Sequence, residues 1–259
     1  MENQLQKLRQ FNLIMGLFHL IQGIALLFLG TQVIQKIAIF QPTIVQYYLR
    51  FNSITKSLEP AVRNLFKLPF GELVASFLLI SAVAHGLIFL SQDRYLNDLK
   101  KGINRFRWFE YALSSSIMIV LIATLFGVYD IGSLILIFII NASMNLFGLD
   151  MEFLNGGTQK TKVNWGPFIW GSIAGLTPWI VILIYMFGSG NFALIPWFVW
   201  VIVGVYFISF MTFPINMILQ YLRIGKWKDY LYGERTYIIL SLIAKSALAW
   251  LVLFGAMQP

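Results

Sequence analysis

The chain has 259 residues, of which 58% are hydrophobic and 12% are charged, and its formal net charge is +8. Soluble domains are usually about half apolar and about one-quarter charged, so this composition excludes a soluble fold and indicates a membrane protein. The chain has no cysteine, which excludes disulfide frameworks and thiolate metal sites. The positive charges lie at the ends of apolar runs, so we expect lipid rather than nucleic acid as the partner.

Seven apolar stretches have lengths near the roughly 20 residues that span a bilayer core. They lie at 11–30, 70–91, 106–128, 131–148, 166–187, 194–222 and 235–256. The predicted fold class is therefore all-α, a bundle of seven transmembrane helices that forms a single domain over residues 1–259. Only Tyr129 and Asp130 separate the third stretch from the fourth.

The connection between the first and second spans is unusually long, at residues 31–69. Within it, residues 43–51 are rich in β-branched and aromatic side chains, which predicts a strand or hairpin. We expect a structured cap over one face of the bundle, with a partner-docking surface as the alternative.

The distribution of Lys and Arg predicts the orientation of the chain in the cell membrane. Thirteen of the nineteen basic residues flank the spans on one side, five lie in the 31–69 connection on the other side, and one lies inside a span. The N-terminus is therefore expected to be cytoplasmic and the C-terminus extracellular. The basic connection at 94–107 is expected to set this topology and to meet anionic lipid, with a protein partner as the alternative.

The basic residue inside a span is Lys245, about ten residues into the last helix and therefore roughly 15 Å deep. A charged lysine at that depth costs about 2.5–3.5 kcal/mol, and ionisable residues in spans usually serve function. Burial favours the neutral amine, which is a nucleophile towards carbonyls, so a Schiff base with an aldehyde is a natural use. The alternative is a structural lysine that is paired across helices.

A carboxylate in the third span, Glu110, is the predicted partner of Lys245 because the third and seventh helices run in the same direction. The alternative is an interfacial carboxylate bound to Arg105 or Arg107. Two further carboxylates, Glu72 and Glu234, stand at predicted helix starts and are expected to be solvated.

Several side chains are candidates for a shared site around this pair. Ser114 and Met118 follow Glu110 on one helical face, and Ser241 precedes Lys245 by one turn. The fourth span contributes Asn141 and Met144, and the sixth contributes aromatic walls at Tyr206 and Phe210. Aromatic stripes in membrane helices also serve packing.

Both histidines, His19 and His85, lie in predicted spans. Two histidines are too few for a closed zinc site, so no metal is expected. They are candidates for a proton-accepting network, and hydrogen-bonded structural histidines are the alternative. Their sequence depths differ, so direct contact between them does not follow from the sequence.

Taken together, the pattern resembles the heliorhodopsins over essentially the whole chain. The resemblance rests on the inverted orientation, the long first connection, Glu110, the segment from Ser241 to Lys245 with Trp250, and Phe213-Pro214-Ile-Asn216 in the sixth span. It implies all-trans retinal bound covalently to Lys245, with Glu110 as the counterion. It also implies a homodimer, a slow photocycle and a cytoplasmic-side polar cavity that contains the histidines. Tyr111 and Trp250 complete the predicted retinal-binding set.

The chemistry of pumping separates the remaining functional hypotheses. Outward proton pumps among ordinary microbial rhodopsins place a second carboxylate eleven residues after the counterion, where this chain has Leu121. We therefore predict a light sensor, not an enzyme, that signals to an unknown cytoplasmic partner without net pumping. A light-gated ion channel or transporter is the alternative, and a non-photochemical membrane enzyme or transporter that uses the Lys245 amine is a third reading.

Overall fold

The computed structural model describes residues 2–156, 162–188, 190, 193 and 195–256. Helices dominate this part of the chain. They are α1 Glu2–Phe28, α2 Gln35–Ile39, α3 Phe70–Leu90, α4 Gln92–Lys100, α5 Arg105–Leu125, α6 Ile131–Asn155, α7 Gly166–Met186, α8 Trp197–Tyr221 and α9 Tyr230–Ala256. A π-helical turn at Leu29–Val33 follows α1, and a 3₁₀ turn at Gly225–Lys228 precedes α9.

Seven of these helices, α1, α3 and α5 to α9, are long and apolar enough to cross a membrane. The prediction of a mostly helical chain with seven spans is thus confirmed. The fourth span continues to Asn155, beyond the predicted end at 148, and the last begins at Tyr230 instead of 235. Both extensions carry a glutamate, Glu152 and Glu234, that looks like a boundary in sequence but is buried in the bundle.

The spans pack around the bundle mostly in chain order. α1 packs on α3, α3 on α5, α5 on α6, α6 on α7, α8 on α9, and α9 returns to α1. Aromatic rings join α7 to α8, where Trp179 lies 5.1 Å from Tyr206 and 5.0 Å from Phe207 between ring centroids. The close approach of α1 to α3 depends on small residues, since a Cβ at Gly16 would lie 2.7 Å from the Cβ of His85.

The long first connection folds into a hairpin of β1 Thr43–Asn52 and β2 Ser57–Lys67, paired antiparallel. The predicted strand or hairpin is therefore confirmed. The hairpin is tied to the α5–α6 link, because the amide of Val45 donates to the carbonyl of Tyr129 at 3.0 Å and Val45 forms a parallel bridge with Asp130. The neighbouring Ile44 is fully buried in the core.

The start of α6 is fixed by Asp130, which caps the helix. Its Oδ2 accepts a hydrogen bond from the amide of Ser133 at 2.8 Å and from the Ser133 hydroxyl at 3.0 Å. The bond from the Ser133 amide holds the pKa of the Asp130 carboxyl below its ordinary value. This cap explains why α6 can begin so soon after α5 ends.

Candidate functional site

Three polar side chains from three helices meet in the interior of the bundle. Lys245 Nζ on α9 lies 2.5 Å from Glu110 Oε1 on α5 and 2.6 Å from the Ser81 hydroxyl on α3. The Ser81 hydroxyl is itself 2.7 Å from Glu110 Oε1, so the three groups close a triangle. Lys245 is 3% exposed and Glu110 is 9% exposed.

The alternative partners of Glu110 are bound elsewhere. Arg105 pairs with Asp98 at 3.2 Å, and Arg107 pairs with Glu152 and Glu234. The reading of Glu110 as an interfacial carboxylate held by one of these arginines is therefore wrong. A buried ion pair compensates the desolvation of both charges only when its geometry is good, and the triangle supplies that geometry.

An apolar cavity of about 350 Å³ lies beside the triangle, with Lys245 and Ser241 in its wall. Its size falls within the roughly 300–1,000 Å³ of small-molecule sites. The structure brings most of the predicted binding residues to this cavity. Those in its lining are Tyr111, Met118, Met144, Tyr206, Phe210, Ser241 and Lys245.

Besides Glu110, which meets Lys245 outside the lining, three predicted binding residues lie away from the cavity lining. Asn141 donates to the hydroxyls of Ser115 at 2.8 Å and Ser116 at 3.1 Å, and so joins α6 to α5. Trp250 donates to Gln22 of α1 at 3.2 Å, because five residues after Lys245 a helix has turned to a different face. Ser114 is fully buried in α5, one turn deeper than Glu110.

Glycines keep the cavity walls close to one another. A Cβ at Gly148 would overlap the indole of Trp108, and one at Gly175 would overlap the sulfur of Met144 and lie 3.0 Å from Phe210 Cζ. Trp108, Met144 and Phe210 all line the cavity. Any larger side chain at either glycine would therefore move these walls.

The two histidines are in contact, which their sequence depths did not predict. Their ring centroids are 5.6 Å apart and the rings are stacked. His85 Nδ1 lies 2.9 Å from Asn12 Oδ1, and Asn12 in turn donates to the Tyr95 hydroxyl at 3.0 Å. A small cavity of about 20 Å³ touches Asn12, His85 and Glu110, which is enough for one water molecule.

A second buried charge cluster contradicts two expectations from the sequence. Glu234 is fully buried, not solvated, and accepts from Arg107 and from Asn104 Nδ2 at 2.8 Å. Arg107 is 5% exposed, so Lys245 is not the only buried basic residue. The reason is that α9 begins one turn earlier than predicted and α6 ends two turns later, which lets both glutamates reach Arg107.

Sequence reasoning missed two residues of the site, Ser81 and Trp108. Ser81 stands one helical turn before His85 in the sequence, and that spacing was the available signal. Trp108 and Asn145 line the cavity. Trp108 Nε1 also donates to Glu152 Oε2 at 2.7 Å, which links the cavity to the Arg107 cluster.

Seven spanning helices, a buried lysine that meets a carboxylate, and an apolar cavity next to that lysine describe a membrane protein of the rhodopsin class. A family model described as Heliorhodopsin matches residues 8–257, nearly the whole chain. The chain belongs to the heliorhodopsin family, whose members are retinal-binding, light-sensing rhodopsins rather than classical enzymes. No protein matches it in a comparison with curated sequences.

The residues present suit retinal. Retinal needs an apolar enclosure with an amine in its wall, and the cavity provides both, since Lys245 lines it together with methionine and aromatic side chains.

Proposed function

We propose that this protein is a light sensor in which all-trans retinal is held as a protonated Schiff base on Lys245, with Glu110 as counterion. The observation that carries the proposal is the 2.5 Å contact between Lys245 Nζ and Glu110 Oε1 at the wall of the apolar cavity. The polyene is held by six side chains of the cavity wall, which are those of Tyr111, Met118, Met144, Tyr206, Phe210 and Ser241.

Retinal supplies the absorption of visible light and the isomerisation that follows it. The chain supplies the electrostatics. Glu110 keeps a negative charge opposite Nζ, and the Ser81 hydroxyl holds both groups in place. The Tyr111 ring, 5.2 Å from Nζ, gives the cation an aromatic face.

The histidines are the proposed acceptors when the proton leaves Nζ. His85 shares the small cavity with Glu110, so a single water can connect them. His19 is stacked on His85 and completely buried, so a proton placed there stays inside the protein.

The deeper part of α5 supports the proposed absence of net pumping. The position eleven residues after Glu110 is Leu121, which is buried at 1% exposure and cannot carry a proton. The residue four positions before the lysine is Ser241, which has a hydroxyl and not a carboxylate. A relay with a second acidic station is therefore not supported on this path.

The proposed assembly places one domain of residues 1–259 in the cell membrane with its N-terminus in the cytoplasm. It forms a homodimer and signals to a cytoplasmic partner. The distribution of basic residues supports the orientation, and the family membership supports the sensing role.

The decisive experiment is reconstitution of Lys245→Ala with all-trans retinal. The wild type should gain a visible absorption band, and Lys245→Ala should gain none. Lys228→Ala, an exposed lysine in the α8–α9 connection, is the control and should behave as wild type. A visible band in Lys245→Ala would reject the attachment site, and steady photocurrents from wild type under voltage clamp would favour a channel or transporter over a sensor.

A further inference from the structure

A second, larger cavity of about 620 Å³ runs along the outside of the bundle between α3 and α5. Its walls are mostly apolar and several are strongly exposed, including Val83 at 63% and Phe109 at 58%. We call this the α3–α5 groove. Exposed apolar faces of spanning helices are covered by lipid acyl chains, so a hydrocarbon chain is the natural occupant of its walls.

The groove has one basic end. Arg94 of α4 and Arg105, the first residue of α5, both line it where α3 gives way to α4. Arg94 is exposed, and among the described residues the Arg105 guanidinium makes a single ion pair, with Asp98 at 3.2 Å. A guanidinium has five N–H donors in a fork that suits phosphate oxygens.

The length of the groove matches one leaflet of a bilayer. On α3 it extends from Leu87 to Ser76, which at 1.5 Å per residue is roughly 16 Å. The hydrocarbon core of a bilayer is about 30 Å thick, so one leaflet is about 15 Å. A chain that starts at the arginines would therefore end near the midplane.

The inner wall of the groove includes Glu110, the carboxylate that pairs with Lys245. Water in the groove would hydrate this carboxylate and weaken the buried pair. An acyl chain in the groove would seal the outer side of Glu110. A lipid in the groove would therefore contact Glu110, one of the two members of the ion pair.

We propose that the α3–α5 groove is a binding site for an anionic phospholipid, with its phosphate between Arg94 and Arg105 and one acyl chain along the groove. The charge at the basic end selects the headgroup, and the apolar walls and their length select the chain. This site does not depend on whether Lys245 carries retinal.

The test is native mass spectrometry of the delipidated full chain with dioleoyl phosphatidylglycerol or dioleoyl phosphatidylcholine. The wild type should retain one phosphatidylglycerol in preference to phosphatidylcholine. Each basic residue near an anionic surface changes affinity by about fivefold, so Arg94→Gln/Arg105→Gln should bind phosphatidylglycerol roughly 25-fold more weakly. Val83→Trp, which fills the groove from its lipid-facing side, should lose the same binding with both arginines intact.

The matched control is Lys226→Gln/Lys228→Gln, which removes two exposed charges from the α8–α9 connection. It should leave phosphatidylglycerol binding unchanged. Equal losses in the two double variants, or equal binding of both lipids by wild type, would overturn the site. Because the chain has no cysteine, Val83→Cys adds one thiol to the groove, and a disulfide-linked dimer in membranes would instead assign the groove to a second copy.

Discussion

Ser81 determines how the charges of Lys245 and Glu110 are arranged. Its hydroxyl lies within 2.7 Å of both groups, so neither charge is left with the other as its only polar neighbour. Unpaired charges in a membrane interior are costly. The triangle therefore allows an ionised pair to persist at a depth where a single charge would be lost.

Replacing the carboxylate tests the counterion. Glu110→Gln removes the negative charge opposite Nζ, so the ground state of the protonated chromophore loses stabilisation relative to its excited state. We expect a red-shifted visible band and, at a fixed neutral pH, a smaller fraction of visible-absorbing pigment. Absorption spectra of the reconstituted variant measure both quantities.

The control for this substitution is Glu72→Gln, since Glu72 is exposed at the start of α3. Its spectrum should match wild type. A Glu110→Gln spectrum indistinguishable from that of Glu72→Gln would remove Glu110 from the counterion role.

At the scale of elements, Arg107 joins three spans. It reaches Glu152 on α6 and Glu234 on α9 from the first turn of α5, and its guanidinium lies 4.0 Å from the centre of the Tyr237 ring. One cation thus holds two buried carboxylates. The helices that carry Lys245 and Glu110 are fixed to each other at this end.

Arg107→Leu should destabilise the fold strongly, because it leaves two buried carboxylates without a positive charge beside them. Breaking a buried ion pair from one side costs about 3–5 kcal/mol. Arg105→Leu removes an ion pair whose arginine is partly exposed and leaves one buried carboxylate, Asp98, instead of two, so its cost should be smaller. Denaturation curves in detergent compare the two variants, and similar free energies of unfolding would contradict the bracing role of Arg107.

The contact of α6 with α7 determines the size of the retinal cavity. Gly175→Val would push Met144 and Phe210 into the cavity. Overpacking costs about 1–3 kcal/mol, so retinal affinity should fall roughly 5- to 150-fold. Retinal titration followed by absorption measures this change.

Gly204→Val is the matched control for the cavity, because a Cβ at Gly204 of α8 meets nothing within 4 Å. Gly204→Val makes the same change in helix propensity as Gly175→Val, but it does not alter the cavity wall. Equal retinal affinities for the two variants would show that the α6–α7 contact does not limit the site.

The sequence predicted those features that depend on depth alone. The pairing of Lys245 with Glu110 was expected because a constant rise per residue places both at similar depth. The contact of Ser81 with this pair was not, since it depends on which face of α3 turns towards α9. The Arg107 cluster was missed because its partners come from helices far apart in the chain.

At the scale of the whole molecule, the hairpin and the α8–α9 connection lie at opposite ends of the bundle, because five spans, an odd number, lie between them along the chain. Ile54 in the hairpin turn is 90% exposed, and Lys228 is exposed in the other connection. In the cysteine-free chain, Ile54→Cys and Lys228→Cys each give a single reporter. These two positions can therefore report the orientation of the chain.

A membrane-impermeant maleimide added to intact cells should label Ile54→Cys and leave Lys228→Cys unlabelled until the membrane is opened. This outcome follows from a cytoplasmic N-terminus, because α1 then carries the chain outward to the hairpin. The reverse labelling pattern would invert the proposed orientation.

The bond between Val45 and the α5–α6 link has a mechanical consequence. It fastens the hairpin to the link between two spans, so this end would act as the pivot if the interior changed shape. α5 is about 30 Å long, and a tilt of about 5° around such a pivot displaces its far end by roughly 2.6 Å. The largest movement would then be at the opposite end, around α4 and the basic end of the α3–α5 groove.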